Sequence, residues 1–267
     1  MRRVISRDGT SIAYEAVGTG PAVVLVGGGL DDGSENAPLA GELARSFTVY
    51  NYARRGRDGS GDTPPHALER EIEDIQALLV EAGGTAHLYG VSTGGALVLE
   101  AAAASVAADK LAVYEVPYNM AADWPSRWQQ YVERLGAALD DGRRGDALAL
   151  FMQLTGSSGA EIAGAKGSPF WPAMEALAHT LIYDAACLGD GRPPTDRFAE
   201  ITQPTLVATG TAARVPGAPE WVLALDPVAD AVAASIPHAE RRSLEGQSHM
   251  ADPKVVASLL EQFFGAH

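Results

Sequence analysis

The sequence predicts an α/β protein, with a mostly parallel central sheet flanked by helices and a helical segment inserted into it. Three observations carry this reading. From Ala22 onward, short runs of β-branched and apolar residues alternate with helical segments, the rhythm of a doubly wound sheet. The run at 22–26, Ala-Val-Val-Leu-Val, is continuously apolar rather than alternating, which marks a strand covered on both faces. The rhythm then stops at Pro117 and resumes at Thr205, with no convincing strand between them.

The elements follow in order. Segments 3–6 and 12–17 are strands on either side of Asp8-Gly9, a dipeptide that favours a tight hairpin turn. Gly18-Thr19-Gly20-Pro21 turns the chain into the buried strand 22–26, which ends at Gly27-Gly28-Gly29. A helix over 35–45 and a short strand over 48–52 come next, then a loop over 54–65 rich in Gly, Asp and Arg. The stretch 66–82 has helical periodicity, with Leu68, Ile72, Ile75, Leu78 and Leu79 on one face. A strand over 86–91 runs into a helix of small residues over 94–104, and 111–116 is again a strand. Beyond the helical stretch come a strand at 205–208, a helix at 227–235, a strand at 240–244 and a last helix at 253–264. The expected organisation is a core of 1–116 and 201–267, with a helical cap over 117–200.

Charge and composition narrow the function classes. The 267 residues suffice for a sizeable core. Acids outnumber bases by 34 to 20, giving a formal charge of −14. Such a surface repels phosphate backbones and anionic lipid, so neither nucleic acid nor a membrane is an expected partner. The one cysteine, Cys187, cannot form a disulfide within the chain. The N-terminus, Met-Arg-Arg-Val-Ile-Ser-Arg-Asp-Gly, lacks the apolar run of a secretory signal. No stretch approaches the roughly 20 apolar residues of a membrane span. The expectation is a cytoplasmic protein, monomeric or homodimeric.

The sharpest local signal is Gly90-Val91-Ser92-Thr93-Gly94-Gly95. It fits G-x-S-x-G in the context that motif requires, a strand before and a helix of small residues after. A nucleophile on so tight a turn has close neighbours, and glycines at 90 and 94 remove side chains that would collide there. The turn lifts the Ser92 hydroxyl off the sheet and sets the Thr93 N–H at a helix N-terminus, where it can stabilise an oxyanion. Acyl transfer needs a second donor from the loop after the first buried strand. Gly29 N–H is the expected donor, with Leu30 next.

A serine nucleophile needs a base. His249 sits in a loop between the last strand and the last helix, and in a parallel sheet such loops gather on the ligand-binding edge. His66, His87, His238 and His267 occupy other settings, and His179 falls in the helical segment, where it is a candidate for the pocket wall. The orienting acid has two candidate locations. The usual position after strand 205–208 reads Gly210-Thr211-Ala212-Ala213-Arg214, without a carboxylate; the first downstream acids include Asp226 and Asp230. The other location is the strand after the elbow, where Glu115 stands among apolar residues. A carboxylate there is costly unless partnered, and a histidine that becomes imidazolium is such a partner.

Together these features resemble the α/β-hydrolase family along nearly the whole chain. The resemblance rests on the glycine turn after a buried strand, Arg54-Arg55-Gly56-Arg57-Asp58-Gly59-Ser60-Gly61, the elbow, the helical segment and the late histidine. The position of Glu115 in Glu115-Val116-Pro117 looks like that of the acid in zearalenone lactonases. In place of the family's usual His-Gly, the chain has Gly27-Gly28. The resemblance implies a serine hydrolase of carboxylic esters or lactones, with Ser92, His249 and Glu115 as its triad. It implies a cap with Trp124, Trp128, Trp171, Phe170, Tyr118 and Met152 over a small apolar substrate. No cofactor or metal is expected, because neither H-E-x-x-H nor clustered Cys and His occurs. Carbon–carbon bond hydrolysis, cyclisation in a biosynthetic pathway and a non-enzymatic ligand receptor remain open alternatives.

Overall fold

The computed structural model describes residues 1–212, 215 and 217–265. Its centre is an eight-stranded sheet in the order β1-β2-β4-β3-β5-β6-β7-β8. Strands β1 (Arg2–Ile5) and β2 (Ser11–Val17) form the hairpin that Asp8-Gly9 predicts, and Gly9 has the positive φ of 86° such a turn uses. Strand β2 also runs antiparallel to β4 (Thr48–Tyr52). The remaining neighbours are parallel: β3 (Ala22–Val26), β5 (Ala86–Val91), β6 (Ala108–Tyr114), β7 (Thr205–Gly210) and β8 (Ala239–Leu244).

The continuous apolar runs are explained by cover on both faces. In β3, Val23 and Leu25 pack with α1 (Ala37–Leu43) and α11 (Pro253–Gly265), while Val24 and Val26 face the opposite layer. That layer contains α2 (Leu68–Glu81), α3 (Thr93–Ala103) and α10 (Glu220–Ser235). Helix α3 is buried from Thr93 to Ala102, so only small and apolar side chains fit around it, apart from Glu100, which pairs with Arg197.

Between β6 and β7 lie α4 (Trp124–Asp140), α5 (Arg144–Leu154), α6 (Gly159–Lys166), α7 (Trp171–Leu177), a 3₁₀ turn, α8 (Leu181–Leu188) and α9 (Thr195–Phe198). Helix α8 packs on α3, and its Asp184 accepts a hydrogen bond from Thr93 at the start of that helix. Among the described residues, no helix is long and apolar enough to cross a membrane.

Two differences from the expected boundaries bear on the site. Helix α10 begins at Glu220, not 227, and carries Pro227 inside it. Proline usually marks a helix start or break, which hid the first two turns. Strand β6 ends at Tyr114, so Glu115 lies just past the strand, not within it.

Candidate active site

The elbow forms as the glycines require. Ser92 has φ 55° and ψ −129° and opens α3. A Cβ on Gly94 would stand 2.3 Å from the Val26 carbonyl oxygen, and one on Gly90 would stand 2.4 Å from the Gly94 oxygen. Only glycine lets β3, β5 and α3 meet this closely. Ser92 N–H donates to the Tyr114 carbonyl at 2.9 Å, tying the elbow to the end of β6.

That strand end also holds the histidine loop. Tyr114 Oη donates to the Ser248 carbonyl at 2.6 Å. The next residue, Glu115, turns into the left-handed region with φ 50° and is 4% exposed. Its Oε2 lies 2.7 Å from His249 Nδ1, and its Oε1 accepts the Gly210 N–H at 2.9 Å. An ionised carboxylate on Nδ1 selects the tautomer with the proton there, leaving Nε2 as the acceptor. Leu30, Ser92 and Glu115 are three of the four non-glycine residues with positive φ among those described. Such backbone strain gathers at functional sites.

Asp226 and Asp230 are engaged elsewhere. Arg241 Nη2 donates to Asp226 Oδ1 at 2.6 Å and Arg241 Nε to Asp230 Oδ1 at 2.9 Å, while Thr209 Oγ1 also reaches Asp226. Neither has a hydrogen bond to His249. Of the loop 210–214, Ala213 and Arg214 lie outside the described residues, as does His267.

The glycine loop after β3 runs alongside Ser92: a Cβ on Gly28 would stand 3.0 Å from Ser92 Cβ. The Gly28 carbonyl accepts Arg57 Nη1, and the Gly27 carbonyl accepts Arg54 Nη1 at 3.3 Å. In a trans peptide the N–H points opposite the preceding carbonyl, so the Gly29 N–H turns away from Arg57. Among the described residues, neither Gly29 N–H nor Thr93 N–H has a hydrogen-bond partner. Leu30 has φ 59° but does not line the cavity.

A cavity of about 220 Å³ opens on these groups, lined by Gly28, Gly29, Ser92, Thr93 and His249 at its floor. Trp124, Trp128, Tyr131, Phe151, Leu181 and Leu188 form much of its apolar wall. Trp124 and Trp128, two of the expected pocket residues, line this cavity. The other aromatic and pocket candidates do not. Trp171 is buried beside Lys166, and Tyr118 packs on Phe198. Met152 packs against the core, and Phe170 is 73% exposed. His179 bonds the Ala176 carbonyl and meets Tyr183 edge-on. Each of these side chains is held by other neighbours or left in solvent, and none of the five lines the cavity.

Several wall residues escaped the sequence reading. Trp221 lies edge-on to His249, with ring centroids 5.2 Å apart, and donates from Nε1 to the Thr155 carbonyl. Pro227, inside α10, obscures in the sequence the helical turns that carry Trp221. Glu35 lines the cavity, and burial, followed by repulsion from Asp31, raises its carboxyl above the ordinary value. Asp184, on α8, meets the arginine-rich loop: Arg54 Nη1 and Arg57 Nη2 donate to its Oδ1 at 2.6 and 2.8 Å, and so does Thr93 Oγ1 at 2.8 Å. Arg54 also forks onto Glu71 through Nε and Nη2, at 2.7 and 2.8 Å. Burial would raise the Glu71 carboxyl, but the attraction of Arg54 outweighs it and holds the group well below its ordinary range. Cys187 is buried on α8 beside this cluster, and burial pushes its thiol well up. A thiol so held stays protonated and unreactive. Among the described residues, no group of His, Cys, Asp and Glu has the arrangement to hold a metal ion.

Comparison with known proteins gives a consistent picture. The model of the Alpha/beta hydrolase family matches residues 23–259. The chain is 45% identical to an alpha/beta hydrolase from Sphaerobacter thermophilus DSM 20745, over 98% of this chain and 100% of that one, with a TM-score of 0.85. An enol-lactonase from Burkholderia xenovorans LB400 and a thermophilic esterase from Thermogutta terrifontis share the fold, each at 20% identity and TM-score 0.71. They cover 99% of this chain and 100% and 97% of theirs. An uncharacterized hydrolase of Bacillus subtilis is 31% identical over 96 residues, a match spanning only 34% of this chain and 35% of that protein.

Proposed function

Because the chain belongs to the alpha/beta hydrolase family, we propose that it is a serine hydrolase of apolar carboxylic esters or lactones. The observation that carries this reading is the Glu115 carboxylate held between His249 Nδ1 and the Gly210 N–H, on the sheet edge that also presents Ser92.

In the proposed mechanism, His249 Nε2 takes the Ser92 hydroxyl proton as Oγ attacks the substrate carbonyl. The oxyanion forms between the N–H groups of Thr93 and Gly29, with Leu30 as the next donor along the loop. Collapse breaks the bond to the leaving oxygen, which receives the proton from the imidazolium. Water, deprotonated by the same nitrogen, then releases the acid from Ser92. Throughout, Glu115 holds the imidazole in one tautomer and stabilises its charged form without taking the proton. This placement of the acid, directly after β6, resembles that of zearalenone lactonases.

Residues 117–200 act as the cap over a core of 1–116 and 201–267. The indoles of Trp124 and Trp128, with Phe151 and Leu181, favour an apolar acyl or alcohol group and exclude bulk water. In a lactone the leaving oxygen remains tethered, so ring opening yields one product. The name of the Burkholderia neighbour adds lactones to the substrates worth trying.

The test is a panel of p-nitrophenyl esters and of lactones from small rings to macrolactones, run with Ser92→Ala and read by product mass. Expected is one water gained per lactone opened and a rate that falls by several orders of magnitude in the variant. Cyclisation, with water lost, or turnover unchanged in Ser92→Ala, would overturn the reading.

A further inference from the structure

We propose that Asp184 is a positioning residue that sets both arms of the oxyanion hole from the cap side. The inference rests on the serine-hydrolase reading above but goes beyond it. Asp184 is 4% exposed on α8, and a single oxygen, Oδ1, receives Arg54 Nη1, Arg57 Nη2 and Thr93 Oγ1 within 2.8 Å. Two of those donors lead to the oxyanion groups. Thr93 carries one N–H on its own backbone. Arg57, fixed by Asp184, turns its Nη1 onto the Gly28 carbonyl, and that peptide carries the Gly29 N–H on its opposite side.

The remaining contacts brace this arrangement. Arg57 Nη1 also reaches the Asp31 carbonyl at 3.2 Å. Arg54 is fixed from behind by Glu71, and its Nη1 touches the Gly27 carbonyl. Among the described residues, Asp184 Oδ2 has no hydrogen-bond partner, and it would stand 3.5 Å from a Cβ on Gly29. The two donors come from different loops, after β3 and after β5, and the strand pairing that ends at Val26 and Gly90 does not by itself orient the peptides beyond it. A carboxylate on a third element, joined to both, does so. The arginine-rich loop noted in the sequence thereby gains a role: the Nη groups of Arg54 and Arg57 donate to carboxylates and carbonyls and so hold peptide planes. Displacing α8 would release Thr93 and Arg57 together, so the hole is complete only with the cap in place.

The experiment compares Asp184→Asn, Thr93→Val, Thr93→Ser and Glu71→Gln with the wild-type protein and Ser92→Ala. Each is measured for kcat, KM, melting temperature and inhibition by a trifluoromethyl ketone that forms a hemiketal oxyanion. Misplacing a donor by about 1 Å can cost roughly 10²-fold. Asp184→Asn and Thr93→Val should each lose roughly 10- to 100-fold in kcat, with KM within about threefold and ketone affinity falling in parallel. Thr93→Ser, which keeps the hydroxyl, should recover most of the rate. Glu71→Gln disturbs the same ion cluster without touching either arm; it should lower the melting temperature and leave the ratio of ketone affinity to KM unchanged.

If Asp184→Asn does not fold, Thr93→Val carries the test alone. Thr93→Val with wild-type kcat and ketone affinity overturns the proposal, as does a Glu71→Gln loss of ketone affinity equal to that of Thr93→Val. Should Ser92→Ala be inactive while these variants keep full rate, only this inference fails. Should Ser92→Ala keep the wild-type rate, the hydrolase reading fails and takes the inference with it.

Discussion

Glu115 and Asp184 are carboxylates of equal burial, each 4% exposed, on opposite sides of the Ser92 turn. Glu115 follows the residue that accepts the Ser92 N–H, and Asp184 accepts the hydroxyl of Thr93. They differ in their partners. Glu115 faces His249, a group that gains and loses a proton and remains partly open to the cavity. Asp184 faces two guanidiniums that stay charged at any working pH. The first pair can change its charge during a reaction; the second cannot, and can only hold positions. Burial alone therefore does not identify a catalytic acid. The chemistry of the group it faces does.

The largest expected effect breaks the first pair. Glu115→Gln should lower kcat by about 10³-fold or more, because the amide no longer stabilises the imidazolium or fixes its tautomer. Asp226→Asn, compared at equal folding, should stay near the wild-type rate, since Asp226 serves Arg241 and Thr209. Loss confined to Asp226→Asn would move the acid to α10.

Behind the second carboxylate, the Arg54–Glu71 pair should fail in stability before activity. Glu71→Gln leaves Arg54 with an uncompensated part of its charge in a buried site, at a cost of about 3–5 kcal/mol. Denaturant unfolding would show this. The sign with pH follows from the lowered Glu71 pKa. The contribution is full above the unfolded value near 4.5 and is lost as pH falls below it toward the folded value. A variant lacking Glu71 should therefore lose part of the wild-type acid sensitivity.

Trp221 tests how firmly His249 must be held. Trp221→Leu removes the edge-on ring and the bond to the Thr155 carbonyl. A fall in kcat of roughly tenfold is expected, from loosened orientation rather than lost chemistry.

The smallest effect concerns His87, which packs between Phe47 and Phe264 away from the cavity. Burial lowers its pKa, so the folded protein binds its proton less readily than the unfolded chain. Stability should be full above the ordinary value near 6.5 and decline as pH falls toward the folded value. His87→Phe should flatten that part of the stability profile, with no change in rate.

The parts legible in the sequence were those governed by local patterns. Continuous apolar runs such as 22–26 marked buried parallel strands, and the spacing of Gly90 and Gly94 around Ser92 marked the elbow, although the crowding at Gly94 comes from the Val26 and Gly27 carbonyls of a distant segment. His249 was legible from its place after the last strand. Glu115 was visible as a charge among apolar residues, although its backbone turn past β6 was not. Asp184 was opaque: its partners lie 91 to 130 positions away, and nothing on α8 marks it as different from a surface acid. The same holds for which aromatics face the cavity. Trp124 and Trp171 both begin helices after similar turns, and only long-range packing separates them.

The most direct measurement is covalent capture of the acyl group. The protein is mixed with a slowly released p-nitrophenyl ester, quenched in acid, and mapped by peptide mass. The acyl mass is expected on the peptide containing Ser92, absent in Ser92→Ala and formed far more slowly in Glu115→Gln. Acylation at another residue, or p-nitrophenol release at the wild-type rate from Ser92→Ala, would contradict it.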